Sequence, residues 1–223
     1  MTSPFSAEDR AHYRALGLWG EVTLPAMFAE TAARVPDRLA LVDAPNRAEV
    51  FEGAPRRLTY AQMRAEVDRL AGVLQAQGVG PGALVATQLP NIVETVILYL
   101  ALSRIGAVLS PISIAYRSAE LRDLAQVAAF DAYISVATLK GQPYYAERID
   151  ALPDGVRRFG LGDGLPAGVV SLDTATAAAP GAVPLDADDL FAVFWTSGTE
   201  GVPKAVPKTH NNMMSSSLGA WRL

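Results

Sequence analysis

Leu190-Phe191-Ala192-Val193-Phe194-Trp195-Thr196-Ser197-Gly198-Thr199-Glu200-Gly201-Val202-Pro203-Lys204 joins two kinds of sequence. Six apolar residues, Leu190 to Trp195, run straight into three hydroxyl side chains, two glycines and a lysine. A short continuous apolar run reads as a buried strand. What it delivers to a cleft reads as an anion-binding loop. Gly198 and Gly201 let backbone N–H groups turn toward a ligand without a Cβ clash. Successive N–H groups in such turns form anion-binding concavities. Thr196, Ser197 and Thr199 add hydroxyl donors, and Lys204 adds a compact positive charge suited to phosphate oxygens.

The spacing from Gly198 to Lys204 is that of G-x-x-x-x-G-K-[ST], the P-loop, but two positions disagree. Pro203 stands where the second glycine belongs and has no N–H to donate. Ala205 stands where the magnesium-binding hydroxyl belongs. The loop is therefore a phosphate loop of another kind, and a P-loop NTPase, which would hydrolyse ATP without a carboxylic acid, is the weaker reading.

Outward from the loop, composition sets bounds. The 223 residues are half hydrophobic and 19% charged, which suits a globular chain with a sizeable core. The net charge of −4 and the lack of a basic cluster argue against nucleic-acid binding. The chain has no cysteine, which removes disulfides, thiolate catalysis and cysteine metal sites. The two histidines, His12 and His210, have no metal-ligand spacing. His12 reads as a surface or packing residue. The run Val96–Leu102 stops at Ser103-Arg104, short of the roughly 20 residues that a membrane span needs. No signal peptide is evident, and a cytoplasmic location is the default expectation.

Toward the amino terminus the spacing predicts an alternating α/β chain. Ser6 with Asp9 caps a short helix to Leu16, in an arm over 1–22 that Leu18 and Trp19 dock onto the body. Thr23 caps a helix through Arg34, and Leu39–Val42 reads as a strand. Asn46–Arg56 reads as a hairpin or loop. Thr59 with Gln62 opens a helix to Gln77, with Met63, Val67, Leu70, Ala71 and Leu74 on one face and Gly78 as its stop. Strands follow at Ala83–Leu89, Ala107–Ile112, Ala132–Val136 and Val156–Phe159. The predicted helices between them run from Ile92 to Ile105, capped by Asn91 with Glu94, from a Ser118 cap to Ala128, and over Tyr144–Ile149. Near-continuous apolar strands alternating with helices predict a mainly parallel sheet covered on both faces. Asp163–Asp186 reads as a surface connection. Asp186, Asp188 and Asp189 read as a solvated turn rather than a metal cluster.

The loop also resembles the signature of the adenylate-forming (AMP-binding) superfamily, T-S-G-T-T-G-x-P-K-G-V with a following T-H pair. The chain matches at Thr196, Ser197, Gly198, Thr199, Gly201, Pro203, Lys204, Val206, Thr209 and His210. It departs at Glu200, commonly Thr, and Ala205, commonly Gly. Glu200 sets a carboxylate beside phosphates, which it repels unless it faces away or meets a metal. Leu58-Thr59-Tyr60 and the segment Arg104–Arg117 resemble upstream segments of the family, and the similarity runs from about residue 20 to 223.

The resemblance implies the first part of a large N-terminal domain, here 23–223. It also implies a reaction in two halves: a small carboxylic acid attacks the α-phosphate of ATP with Mg2+, and a thiol of coenzyme A or of a carrier-protein pantetheine arm takes the acyl group. It assigns Thr196, Ser197, Gly198, Thr199, Gly201 and Lys204 to the phosphates, Lys204 acting electrostatically, and His210 to opening the next helix. It assigns no catalytic and no metal-binding residue within these 223 positions. Val206–Asn212 and Tyr13–Trp19 resemble stand-alone aryl-acid AMP ligases, whereas Pro111–Arg117 resembles carboxylate–CoA ligases, the branch preferred here. Family members run to more than twice this length, so the expectation is that the chain alone is catalytically inert. A non-catalytic nucleotide-binding or scaffold module is the competing expectation.

Overall fold

The computed structural model describes residues 4–196 and 203–221, with side chains through 217. Helices α1 (Ala7–Ala15) and α2 (Leu24–Arg34) precede an antiparallel pair, β1 (Leu39–Val42) and β2 (Arg57–Thr59). Then come α3 (Tyr60–Ala76), β3 (Leu84–Gln88), α4 (Val93–Arg104), β4 (Val108–Pro111), α5 (Ser118–Val127) and β5 (Ala132–Val136). A small hairpin, β6 (Thr138–Leu139) and β7 (Gln142–Pro143), leads to β8 (Arg157–Leu161) and β9 (Val170–Ser171). The chain returns through β10 (Leu190–Thr196) and β11 (Lys204–Thr209) into α6 (His210–Trp221). Among the described residues no helix is long and apolar enough to cross a membrane.

Seven strands form one sheet in the order β11-β10-β4-β3-β5-β8-β9, parallel throughout except for β11. The expected α/β architecture is what the chain adopts. Every residue of β3 and β5 is buried, because helices cover both faces. Side chains alternate across a strand. Val85, Leu109, Ile134 and Phe159 accordingly join the core under α3 and α4, while Leu84, Ala86, Val108 and Tyr133 join the core under α5.

Local sequence explains the helix ends. The Thr59 side chain accepts from the Gln62 N–H and the Gln62 side chain accepts from the Thr59 N–H, as expected. Gly78 and Gly106 stop α3 and α4 with φ of +79° and +71°, a region that other residues avoid. Gly72, inside α3, leaves room for the Ala178 carbonyl of the long connection, where a Cβ would collide with it.

Leu39–Val42 is the expected strand, and it pairs with β2 outside the main sheet. Three expectations are corrected. Asn91 does not cap α4: Ile92 occupies that position without a side-chain bond, and the Val93 N–H is capped by Asp43 Oδ1 at 2.9 Å. Ser118 is the first residue of α5 rather than its cap, and the Arg117 N–H donates to Glu120. The helix expected over Tyr144–Ile149 is instead a single 3-10 turn at Ile149–Ala151. There the Arg148 guanidinium takes the Tyr144 carbonyl at 2.9 Å, and one turn is too short to pay nucleation by itself.

The loop between β1 and β2 folds around a buried cation. The Arg47 guanidinium donates to Asp43 Oδ2 at 2.7 Å and to both oxygens of Glu94 at 2.8 and 3.0 Å. Its Nε donates to the Glu52 carbonyl, and Arg56 closes on Glu94 at 2.8 Å. Burial pushes the Asp43 carboxyl up, but the N–H groups of Arg56 and Val93 and the Arg47 charge outweigh it and hold it below its usual range. The set ties the β1–β2 pair to the start of α4. Removing one partner from a buried pair strands the other charge, at a cost of about 3–5 kcal/mol. Glu94→Ala is expected to lower the urea midpoint accordingly with an unchanged m-value; a shift below about 1 kcal/mol would show the cluster to be solvated.

Candidate functional site

In a parallel sheet the carboxyl ends of the strands share one edge, and ligands of open α/β sheets bind there. β10 runs parallel to β4, with Ala192 beside Leu109, and then reverses into β11. The Trp195 indole donates to Ser110 Oγ of β4 at 2.8 Å, which fixes the end of β10. In the hairpin register Thr196 stands opposite Lys204, and both are exposed. Two of the six sequence-assigned residues are thereby brought together at the carboxyl edge. Ser197, Gly198, Thr199 and Gly201 lie outside the described residues.

The base of the hairpin is a clasp. Asp188, expected in a solvated turn, is buried. Its carboxylate meets Arg14 at 2.9 Å and accepts from Asn211 Nδ2 at 2.8 Å. Asn211 also holds both backbone groups of Gly20, and Ser215 Oγ donates to the Leu18 carbonyl. Trp19, buried, stacks on Tyr13 at 4.7 Å. The arm therefore docks as expected, through Trp19; Leu18 itself stays exposed.

His210 opens α6, as expected from its position. Its Nδ1 accepts the Leu24 N–H at 3.4 Å, and its ring lies 5.4 Å from that of Phe191. Burial lowers its pKa to about 4, against a weaker opposing pull from Asp189. This is a packing residue kept neutral.

A groove of about 590 Å³ opens at the ends of β3 and β4. Leu89, Pro90, Ile92 and Ile112 form apolar walls and Lys140 brings positive charge; Arg47 also lines the groove, with its guanidinium held by Asp43 and Glu94. Lys140 sits at φ +52°, followed by Gly141 at +72°, in the two-residue turn between β6 and β7. Such a turn requires positive φ at both positions, and lysine is an uncommon choice for it. The Lys140 N–H donates to the Val50 carbonyl at 2.9 Å, which anchors the turn to the Arg47 loop. Sequence reasoning missed this groove. The Lys140-Gly141 pair between short flanking strands was the available signal.

Ser113 and Ile114 complete the wall. The Ser113 carbonyl accepts from Gln88 Nε2 at 2.8 Å in the interior. A trans peptide points its N–H opposite to its C=O, so the Ile114 N–H faces outward from that interior bond.

Residues 28–223 match the family described as AMP-binding enzyme. The chain is 33% identical to the medium-chain fatty-acid–CoA ligase of Escherichia coli, covering 97% of this chain and 38% of that protein. It is also 33% identical to the salicyl-AMP ligase / salicyl-S-ArCP synthetase of Mycobacterium tuberculosis, covering 94% and 37%. The apo structure of MbtA from Mycobacterium smegmatis superposes with a TM-score of 0.79 at 32% identity, over 100% of this chain and 41% of that one. The chain thus spans about two fifths of the length of these relatives.

The low His210 pKa makes stability depend on pH. The unfolded chain, with a value near 6.5, binds a proton that the folded chain refuses until about pH 4. Stability is full above pH 6.5 and falls on acidification toward pH 4, by up to about 3 kcal/mol from this group. Chemical denaturation between pH 7 and 4 is expected to show a slope that His210→Asn flattens; an unchanged slope would remove His210 as its source. By its fold, its sheet edge and its relatives, the chain belongs to the AMP-binding, adenylate-forming enzyme family.

Proposed function

We propose that the chain is the N-terminal part of a carboxylate–CoA ligase, an arm over 1–22 and part of the AMP-binding domain over 23–223. The ligase activates a carboxylic acid with ATP to an acyl-adenylate and pyrophosphate, then passes the acyl group to coenzyme A. The observation that carries this reading is the Thr196–Lys204 register at the carboxyl edge.

The first half-step sets a carboxylate against the α-phosphate, and negative charge accumulates on the departing pyrophosphate. Donors fixed where charge develops stabilise such a step more than the ground state. Lys204 supplies one full charge and Thr196 a hydroxyl; Ser197, Gly198, Thr199 and Gly201 are assigned the remaining β- and γ-phosphate contacts. Among the described residues no three acidic or histidine side chains gather to hold a metal. Mg2+ of the nucleotide is usually held by phosphates and water with few protein ligands.

The groove supports coenzyme A over a carrier protein as acceptor. An ammonium and an outward N–H above apolar walls suit the phosphorylated nucleotide end of coenzyme A, which the pantetheine arm of a carrier protein lacks. The aryl-acid AMP ligase reading is the alternative, and the salicyl-AMP ligase relative supports it.

Calorimetry separates these statements. Lys204→Ala is expected to weaken MgATP binding about tenfold, the scale of one charge-assisted hydrogen bond; equal affinities would overturn the loop assignment. Lys140→Ala is expected to weaken adenosine 3′,5′-bisphosphate, the nucleotide end of coenzyme A, by about five- to tenfold and leave MgATP alone. Equal bisphosphate affinities would leave the aryl-acid alternative standing.

A further inference from the structure

The connection between β4 and α5 is exposed at Ser113, Ile114 and Ala115, yet interior side chains hold it. Gln88 Nε2, fully buried, donates to the carbonyls of Ser113 at 2.8 Å and Tyr116 at 2.9 Å. The Tyr144 hydroxyl donates to the Ile114 carbonyl at 2.8 Å. Arg148, also buried, reaches the Tyr116 carbonyl with Nε and Nη2 at 3.3 and 3.2 Å, and its guanidinium lies 3.5 Å over the Tyr144 ring. Gln88 is itself oriented by the Tyr133 hydroxyl, which donates to its Oε1 at 2.7 Å. Burial pushes the Tyr144 pKa up to about 12, with Arg148 opposing, so the hydroxyl keeps its proton at any physiological pH.

An exposed connection can leave its carbonyls to water. Here Gln88 of β3, with Tyr144 and Arg148 of the connection after β7, turns the Ser113, Ile114 and Tyr116 carbonyls inward, beside the turn bond from the Tyr116 N–H to the Ser113 carbonyl at 3.0 Å, and so fixes the peptide that carries the Ile114 N–H. Rigidity of a wall before binding removes an ordering cost that a ligand would otherwise bear. We infer that Tyr144, Arg148 and Gln88 are positioning residues for the groove: they touch no ligand, but hold the Ser113–Tyr116 turn and so preset its Ser113–Ile114 portion, the wall against which the anionic nucleotide end of the acceptor is held.

This inference rests on the groove being the acceptor site, and the experiment keeps the two apart. In the 223-residue chain, Tyr144→Phe deletes one donor and keeps the ring under Arg148, while Arg148→Lys keeps the charge and loses the two-pronged contact. Both are measured for adenosine 3′,5′-bisphosphate and MgATP by calorimetry, with Tm alongside and Lys140→Ala as reference. Each is expected to weaken the bisphosphate about three- to tenfold, with MgATP affinity unchanged. A merely structural role would lower Tm and weaken both ligands together, or change neither, and either result overturns the inference. If Tyr144→Phe and Arg148→Lys bind as the parent does while Lys140→Ala does not, positioning is refuted and the groove reading stands. If the parent fails to bind the bisphosphate, or Lys140→Ala binds it equally well, the groove reading fails and takes the inference with it.

Discussion

Strand polarity is the constraint from which the arrangement follows. Six of the seven strands in the main sheet run the same way, so every connection leaving a carboxyl end emerges at one edge. β4 and β5 lie on opposite sides of β3: β4 follows β3 on one flank, and the chain then crosses back to place β5 on the other. That reversal opens a crevice at the carboxyl edge without any special residue. The antiparallel β11 adds a second consequence. It forces the chain to turn at the same edge, and so sets Lys204 opposite Thr196 beside β4 rather than on the far side of the domain.

Two polar clusters stiffen this edge and a third holds the opposite one. Arg47 with Asp43 and Glu94 couples the small β1–β2 pair to the start of α4, and Gln88 with Tyr144 and Arg148 fixes the connection after β4. Both sets flank the groove. At the base of the hairpin, Asp188, Asn211 and His210 bind the arm and α2. Buried charges seldom gain net stability over a well-packed apolar core. Their value here is geometric: each set joins segments distant in sequence.

The sheet was legible because its signals are local and redundant. Apolar runs marked β3, β5 and β10, and the Thr59–Gln62 box and Gly78 bounded α3 to within a residue. The failures share one cause, a partner distant in sequence. Glu94 sits where a capping acid belongs, but Arg47, forty-seven residues earlier, claims it, and Asp43 supplies the cap. Asp188 looks like a turn residue until Arg14 and Asn211 arrive from either end of the chain. The groove was illegible for the same reason: Asn46, Asn91, Ser113 and Lys140 have no periodicity and meet only through topology. For the loop, the string from Thr196 to Lys204 carried the family, and the register adds the pairing of its two ends.

Net charge sharpens what these sites must do. At −4 the chain as a whole opposes an approaching polyanion, and screening leaves such long-range terms weak beyond about 8 Å in physiological salt. Affinity for a phosphate must then come from groups in direct contact, where charge-assisted hydrogen bonds are short and strong. Lys204 and Lys140 are placed accordingly: each stands at the turn end of a hairpin, with β10–β11 leading to one and β6–β7 to the other. The first has a hydroxyl across the register from it; the second lines a groove with apolar walls. A triphosphate and a phosphorylated nucleotide end differ in the same sense, the one nearly all charge and the other charge joined to a flat ring. The chemistry of each surround thus suits the ligand proposed for it, although the two sites share one edge of one sheet.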